Sequence, residues 1–201
     1  MTVLIAYNKA EFLKSAMDLS QLPADQGYEV AFIGRSNAGK SSSLNTITGI
    51  KNLARVSSTP GRTQLINLFG LDKERRLVDL PGYGYAKAPR IAQQRWIIAT
   101  NEYLKYRQCL RGLILLMDIR HPLKDSDRHI IDWTVECGVS LHILLSKADK
   151  LKPAAQRVAL ADVQMQLKKY GDAVSVQLFS SQDRTGLDDV QDVLNSWFDS
   201  E

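Results

Sequence analysis

The chain has 201 residues with 44% apolar and 24% charged residues, a formal net charge of +4 and a pI near 9.0, which describes one globular domain with a sizeable core and excludes an intrinsically disordered chain. No apolar run approaches the ~20 residues of a membrane-spanning helix, and the start, MTVLIAYNKAEFLKSAMDLS, has no signal-peptide pattern. Cys109 and Cys137 lack metal-type spacing and read as free thiols filling core in a reducing, cytoplasmic compartment, and the mild positive charge permits a nucleic-acid partner without requiring one.

Residues 1–24 read as an N-terminal extension to a single domain at 25–201. YEVAFIG (28–34) is a short apolar run ending in Gly, followed by a helix-length stretch at 39–48. QLINLFGL (64–71) and RRLVDLPG (75–82) flank a tight polar turn at Asp72–Glu74, the spacing of a hairpin. A helix is expected at 91–107. GLILLMDI (112–119) and VSLHILLS (139–146) are almost unbroken apolar runs, the pattern of strands buried on both faces. Between them, 125–137 carries Ile130, Ile131, Thr134 and Val135 at helical spacing behind Asp125 as N-cap. A helix at 153–170, a weaker strand at 173–181 and a helix at 186–199 complete the chain. Strands alternating with helices predict an α/β fold: a mainly parallel six-stranded sheet with one antiparallel edge strand and helices on both faces. In such sheets ligands sit beyond the carboxyl ends of the strands, where each motif below falls.

Gly34–x4–Gly39–Lys40–Ser41 matches GxxxxGK(S/T), placed between a strand and a helix as that phosphate-binding loop requires. Glycines let the backbone turn and approach a ligand, successive N–H groups form an anion nest, and the helix adds its positive amino end. Lys40 would reach the β- and γ-phosphates, and the Ser41 hydroxyl would coordinate Mg2+. The loop therefore points to a nucleoside triphosphate with Mg2+.

Ser146-Lys147-Ala148-Asp149 follows a buried strand and has the form of the (N/T)KxD guanine motif, with Ser in place of Asn or Thr. Asp149 can accept from guanine N1–H and the 2-amino group, donors that adenine does not offer there, and the Lys147 stem can lie along the base plane. Asp79-Leu80-Pro81-Gly82 is a DxxG at a strand end: Asp79 would hold Mg2+ through water, and the Gly82 N–H would sense the γ-phosphate. Thr59-Pro60-Gly61-Arg62-Thr63 lies where a switch loop belongs, with Thr63 as the Mg2+-binding hydroxyl and Thr59 as the alternative. Phe179-Ser180-Ser181 ends the last strand, where a backbone N–H can reach guanine O6.

GRSNAGKSS, TPGRTQLINLF, RLVDLPGYGYA, MDIRHPLKD, SKAD and FSS together resemble the EngB (YihA/YsxC) GTPases of the TrmE–Era–EngA–YihA–septin group, from about residue 10 to residue 198. The resemblance implies a GTP-binding protein acting in assembly of the bacterial large ribosomal subunit and needed for normal cell division and septation. It places Gly34, Arg35, Ser36, Asn37, Ala38, Gly39, Lys40 and Ser41 on the phosphates, and Gly61, Arg62, Thr63, Gln64 and Leu65 on the first switch over the γ-phosphate. It places Ser41 and Thr63 on Mg2+, Asp79, Leu80, Pro81 and Gly82 in the second switch, Ser146, Lys147, Ala148 and Asp149 on the base, and Phe179, Ser180 and Ser181 beside it.

Many GTPases orient the attacking water with a Gln just after DxxG; here Tyr83 stands there, so slow intrinsic turnover is expected. Two readings of Asn37 stay open: similar GTPases with Asn at this position use a bound K+, and an Asn there can equally brace the first switch. Lys51, Arg55 and Arg62 near the first switch, and Lys87, Arg90 and Arg95 beside Tyr83 and Tyr85 after the second, read either as a solvated face or, with the resemblance, as a surface for ribosomal RNA. An ATP-using P-loop kinase is disfavoured by SKAD and the lack of a lid insertion. A septin-like polymer is disfavoured by the lack of a long extension or coiled coil, so a monomer is expected.

Overall fold

The computed structural model describes residues 5–54, 65–84 and 90–199. Seven strands, β1 (Glu11–Ala16), β2 (Tyr28–Gly34), β3 (Ile66–Gly70), β4 (Arg75–Asp79), β5 (Leu110–Asp118), β6 (Ser140–Ser146) and β7 (Val174–Leu178), form one sheet in the order β1-β3-β4-β2-β5-β6-β7. The helices are α1 (Lys40–Thr48), α2 (Arg90–Tyr106), α3 (Asp125–Glu136), α4 (Pro153–Leu167) and α5 (Leu187–Asp199). The α/β class and the antiparallel hairpin are as the sequence predicts: β3 pairs antiparallel with β4, and β4, β2, β5, β6 and β7 pair in parallel. The sheet has seven strands where six are predicted. The seventh is β1, from the segment read as an extension, which pairs antiparallel with β3 through a register shift between Phe12 and Lys14. That irregularity and four exposed residues in a row erase the alternating pattern that would mark it in sequence.

Side-chain alternation along β2 and β5 divides the core. Ala31, Ile33, Leu113 and Leu115 face Tyr103 and Leu104 of α2, Ile130 and Ile131 of α3, and Val163 and Leu167 of α4. Val30, Phe32, Ile114 and Leu116 face Leu44 and Ile47 of α1, Val190, Leu194 and Phe198 of α5, and Ile5 and Tyr7 near the amino terminus. The Tyr7 hydroxyl also donates to Asn195 Oδ1 at 2.8 Å, tying the first residues to α5. Helix α3 starts one residue differently from expectation. Lys124 is the N-cap, Asp125 is the first helical residue, and the Asp127 carboxylate accepts the Lys124 N–H at 2.8 Å. No helix among the described residues is long and apolar enough to cross a membrane. Cys109 is buried and its thiol is pushed up to about 12 by burial, which makes it inert packing, while Cys137 is half-buried.

At the amino end of β2 the Glu29 carboxylate is fully buried among four donors. Arg107 reaches it with Nε at 2.9 Å and Nη2 at 2.8 Å, Arg76 with Nε at 2.8 Å, and the Tyr103 hydroxyl at 2.7 Å. Tyr103 belongs to α2 and Arg107 follows its last residue, so this cluster pins the carboxyl end of α2 to the sheet. It lies at the opposite end of the strands from the GRSNAGKSS, DLPG and SKAD stretches.

Candidate functional site

The loop between β2 and α1 is set by two glycines with different tasks. A Cβ on Gly34 would sit 2.9 Å from the Leu116 carbonyl oxygen, so the end of β2 can lie this close to β5 only without one. Gly39 is the N-cap of α1 at φ +90°, a left-handed backbone that L side chains rarely adopt. Asn37 is also left-handed, at φ +64°. The first-turn N–H groups of α1 have no intrahelical acceptor, and the loop aims them outward beyond the sheet. Lys40, at the start of α1, is ion-paired through Nζ with Asp79 Oδ1 at the end of β4, and both side chains are largely buried. The structure thus brings together the ammonium meant for the phosphates and the carboxylate meant for the metal.

The base motif lies across the loop. The Ser146 hydroxyl, on the last residue of β6, donates to the Ala38 carbonyl at 2.6 Å, with the Met117 carbonyl 3.1 Å away. The Ser hydroxyl at this position therefore ties the SKAD loop to the phosphate loop. Ser146→Ala strands a buried acceptor, which costs about 1–2 kcal/mol; bound fluorescent GDP is expected to leave several times faster, as read by stopped flow. Lys147 is left-handed at φ +59° and its Nζ donates to the Asn37 carbonyl at 2.6 Å and pairs with Asp118 Oδ2 at 3.0 Å. Asp149 Oδ1 accepts from the Ser180 hydroxyl at 2.8 Å and Oδ2 pairs with Lys150 at 2.8 Å. Lys150 first and Ser180 with it hold the Asp149 carboxyl below its ordinary range, against the opposing effect of burial. A carboxylate offers about four acceptor positions, so two remain for a base edge.

Phe179 is fully buried, and its N–H donates to the Leu145 carbonyl; the Ser180 N–H donates to the Thr185 carbonyl. Of these three residues it is Ser181 that lines the adjoining cavity, of about 500 Å3, with Gly39, Thr46, Ser146, Lys147 and Asp149. That volume lies in the range of small-molecule sites. Lys51, Asn52, Lys150 and Gln182 line it too. Sequence reasoning does not assign these four to the nucleotide. Lys51 and Asn52 are brought there by the turn after α1, which Asn45 fixes by donating to the Ala54 carbonyl at 3.0 Å and accepting the Ala54 N–H at 2.8 Å.

Asp79, Leu80, Pro81, Gly82 and Tyr83 are buried at the end of β4. The Leu80 N–H donates to the Phe32 carbonyl, the Tyr83 N–H to the Gly34 carbonyl, and the Ser36 N–H to the Tyr83 carbonyl, so the start of the second switch is stitched to the phosphate loop. The Tyr83 hydroxyl donates to Asp127 Oδ1 at 2.6 Å. Burial, with Asp127 beside it, pushes the phenol far up, so Tyr83 is a neutral donor locked on α3. Leu65 is half-buried ahead of β3. Gly61, Arg62, Thr63 and Gln64 lie outside the described residues, as do Arg55, Thr59, Tyr85, Lys87 and the side chains of Arg90 and Arg95. A metal held by protein alone would need several acidic or imidazole ligands, and no cluster of three or more His, Cys, Asp or Glu occurs among the described residues. The donor set instead fits Mg2+, which is commonly bound by one or two protein groups together with substrate phosphates: the Ser41 hydroxyl and the Asp79 carboxylate.

The sequence matches the family of 50S ribosome-binding GTPases over residues 29–147. It is 59% identical to a probable GTP-binding protein EngB of Coxiella burnetii (strain CbuK_Q154) over 196 residues, covering 98% of this chain and 96% of the relative. The fold superposes on a crystal structure of a probable GTP-binding protein engB with a TM-score of 0.68 at 18% identity, covering 85% of this chain and 98% of the other. Aquifex aeolicus Era bound to GDP and aluminium fluoride gives a TM-score of 0.68 at 18% identity, covering 88% of this chain and 58% of Era. The phosphate loop, the base loop joined to it through Ser146 and Lys147, and these similarities carry one conclusion: the chain belongs to the EngB family of GTP-binding proteins, P-loop GTPases of the α/β class.

Proposed function

We propose that the protein is a slow GTP-hydrolysing switch that acts in assembly of the bacterial large ribosomal subunit in the cytoplasm and is needed for normal cell division and septation. The observation that carries the switch reading is Tyr83, buried and bonded to Asp127 where many GTPases place a water-orienting Gln. The family description supports the ribosomal partner, as does the likeness to an Era structure in complex with a 16S ribosomal RNA fragment, which has a TM-score of 0.67 at 18% identity over 86% of this chain and 57% of Era. The chain acts as a monomer, with residues 1–24 an extension to the G domain at 25–201, of which β1 pairs with β3.

The first-turn N–H groups of α1 and Lys40 hold the β- and γ-phosphates. Lys40 leaves Asp79 for the phosphates, which frees that carboxylate for the metal's shell. Ser41 and, from the first switch, Thr63 would hold Mg2+, which when bound would supply positive charge to offset that of the phosphates. Asp149 takes the guanine edge, Lys147 covers its face, and Ser181 offers its N–H to O6. Gly61, Arg62, Gln64 and Leu65 close over the γ-phosphate, and the Gly82 N–H senses it. Water attacks the γ-phosphorus in line with the departing GDP oxygen, and no side chain of the described second switch orients it. Asn37 would hold a K+ ion, which when bound would supply positive charge near the phosphates and raise turnover.

Single-turnover hydrolysis of GTP, in K+ and in Na+, with and without purified large subunits, tests this. Turnover on the order of 10−3 s−1 or slower is expected from the protein alone. Stimulation by K+ and by the subunit is expected, with the GTP form co-sedimenting with the subunit and the GDP form leaving it. Fast unaided turnover would overturn the slow switch, and absence of co-sedimentation in either state would overturn the partner.

A further inference from the structure

Strand β5 ends at Asp118, the first residue of the DIRHPLKD run, which none of the nucleotide motifs includes. Arg120 grips the Asp118 carboxylate with two prongs, Nε to Oδ1 at 2.9 Å and Nη2 to Oδ2 at 2.6 Å, and its backbone N–H adds a third bond at 3.1 Å. Such a forked pair is strong and fixes direction as well as distance. On its other side Asp118 Oδ2 lies 3.0 Å from Lys147 Nζ, and that ammonium also donates to the Asn37 carbonyl. The head of Lys147 is therefore held from β5 and from the phosphate loop at once, and its four-carbon stem is stretched beside the base cavity. A free lysine side chain would lose rotamer entropy on taking up that pose with each nucleotide. Here the pose is set before the nucleotide arrives. Arg120, foremost, and Lys147 keep the Asp118 carboxyl ionised well below its ordinary range. A second cavity of about 240 Å3, lined by Asp118, Arg120, His121 and Lys147 and by the phosphate loop from Arg35 to Ala38, adjoins the brace, and the Arg120 side chain is 44% exposed.

We propose that Asp118 is a positioning residue of the guanine site: it anchors the Lys147 ammonium so that the stem covers the base, and Arg120 orients Asp118 for that task. The brace sets how long a guanine nucleotide stays bound, and its outer end is reachable without entering the nucleotide cavity. The proposal rests on the reading of Lys147 and Asp149 as the guanine pocket.

Stopped-flow release of fluorescent GDP from the full chain tests it, with D118N, D118A, R120A, R120K and the D118A/R120A double variant, and with D149N as the control on the pocket. D118N is expected to release GDP ~10-fold faster and R120A ~3-fold faster, with R120K, limited to one prong, between wild type and R120A. In the D118A background R120A should add nothing, because its effect passes through Asp118. The half-exposed Arg120 can be truncated without harm to the fold, so R120A carries the test even where an Asp118 variant fails to fold. GDP release at the wild-type rate in R120A, or an equal R120A effect with and without Asp118, would overturn the proposal. If D149N fails to exchange guanine for xanthine preference, the pocket reading is the one that falls. If D149N makes that exchange while D118N and R120A behave as wild type, the brace alone falls.

Discussion

Asp149→Asn is expected to weaken GTP and GDP binding on the order of 100-fold and to strengthen xanthine nucleotide binding by a comparable factor. Ser180 and Lys150 fix the Asp149 carboxylate at the cavity wall and leave acceptor positions for two guanine donors. An amide at the same place accepts only one of them and turns an N–H2 toward the other. Against guanine that sets donor against donor; against xanthine, whose C2 substituent is a carbonyl oxygen, the same N–H2 finds a partner. Competition titration against fluorescent GDP checks both halves. Equal loss for both bases would mean that the variant has damaged the loop rather than altered its recognition. The phosphate side of the site is untouched by this change, so the shift in preference reads the base pocket by itself.

Glu29→Gln is expected to lower unfolding stability by about 3–5 kcal/mol, the usual consequence of removing one member of a buried ion cluster. Against the ~5–15 kcal/mol of a typical domain, that is a large stability loss for a single neutralised charge. The reason is geometric. Arg107 and Arg76 converge on a carboxylate with no exposure to water, and Gln leaves both guanidiniums in place with half their acceptors and none of the charge. The urea midpoint should fall with the slope unchanged. The pH dependence has a definite sign. Burial alone would raise the Glu29 pKa, but Arg107, Tyr103 and Arg76 outweigh it and hold the carboxyl below its ordinary 4.5. The folded value lies below the unfolded one, so the stabilisation is complete above about 4.5 and is lost as pH falls through the folded value. The gap between wild type and Glu29→Gln should therefore be constant from neutral pH down to that point and then narrow.

The phosphate loop and the base loop are legible in sequence because their chemistry is made by short, contiguous stretches. Gly34 and Gly39 are demanded by backbone approach and backbone conformation, and the DxxG and SKAD runs carry their own spacing. Residues whose roles depend on distant partners are not legible. Asp118 meets Lys147 only because β5 and β6 run in parallel with Asp118 opposite Ser146. Tyr83 meets Asp127 across 44 positions, so the sequence shows that the water-orienting amide is missing but not what the phenol does instead. Strand β1 escapes notice because an edge strand with exposed Phe12, Leu13 and Lys14 and a shifted register carries neither a buried run nor clean alternation. Asp125 looks like the cap of α3 from the run that follows it, yet the carboxylate two residues later does that work, a shift within the usual uncertainty of helix starts.

Asn37 and Lys147 face each other across the nucleotide site, each in a left-handed backbone that glycine adopts at lower cost. The bond between them, from the Lys147 ammonium to the Asn37 carbonyl, exists only because Lys147 is not glycine. Evolution here has accepted a less comfortable chain in exchange for a poised pocket. A search for heat-resistant variants would be drawn to these two positions, and at Lys147 the gain in resilience would be taken from the protein's grip on its nucleotide.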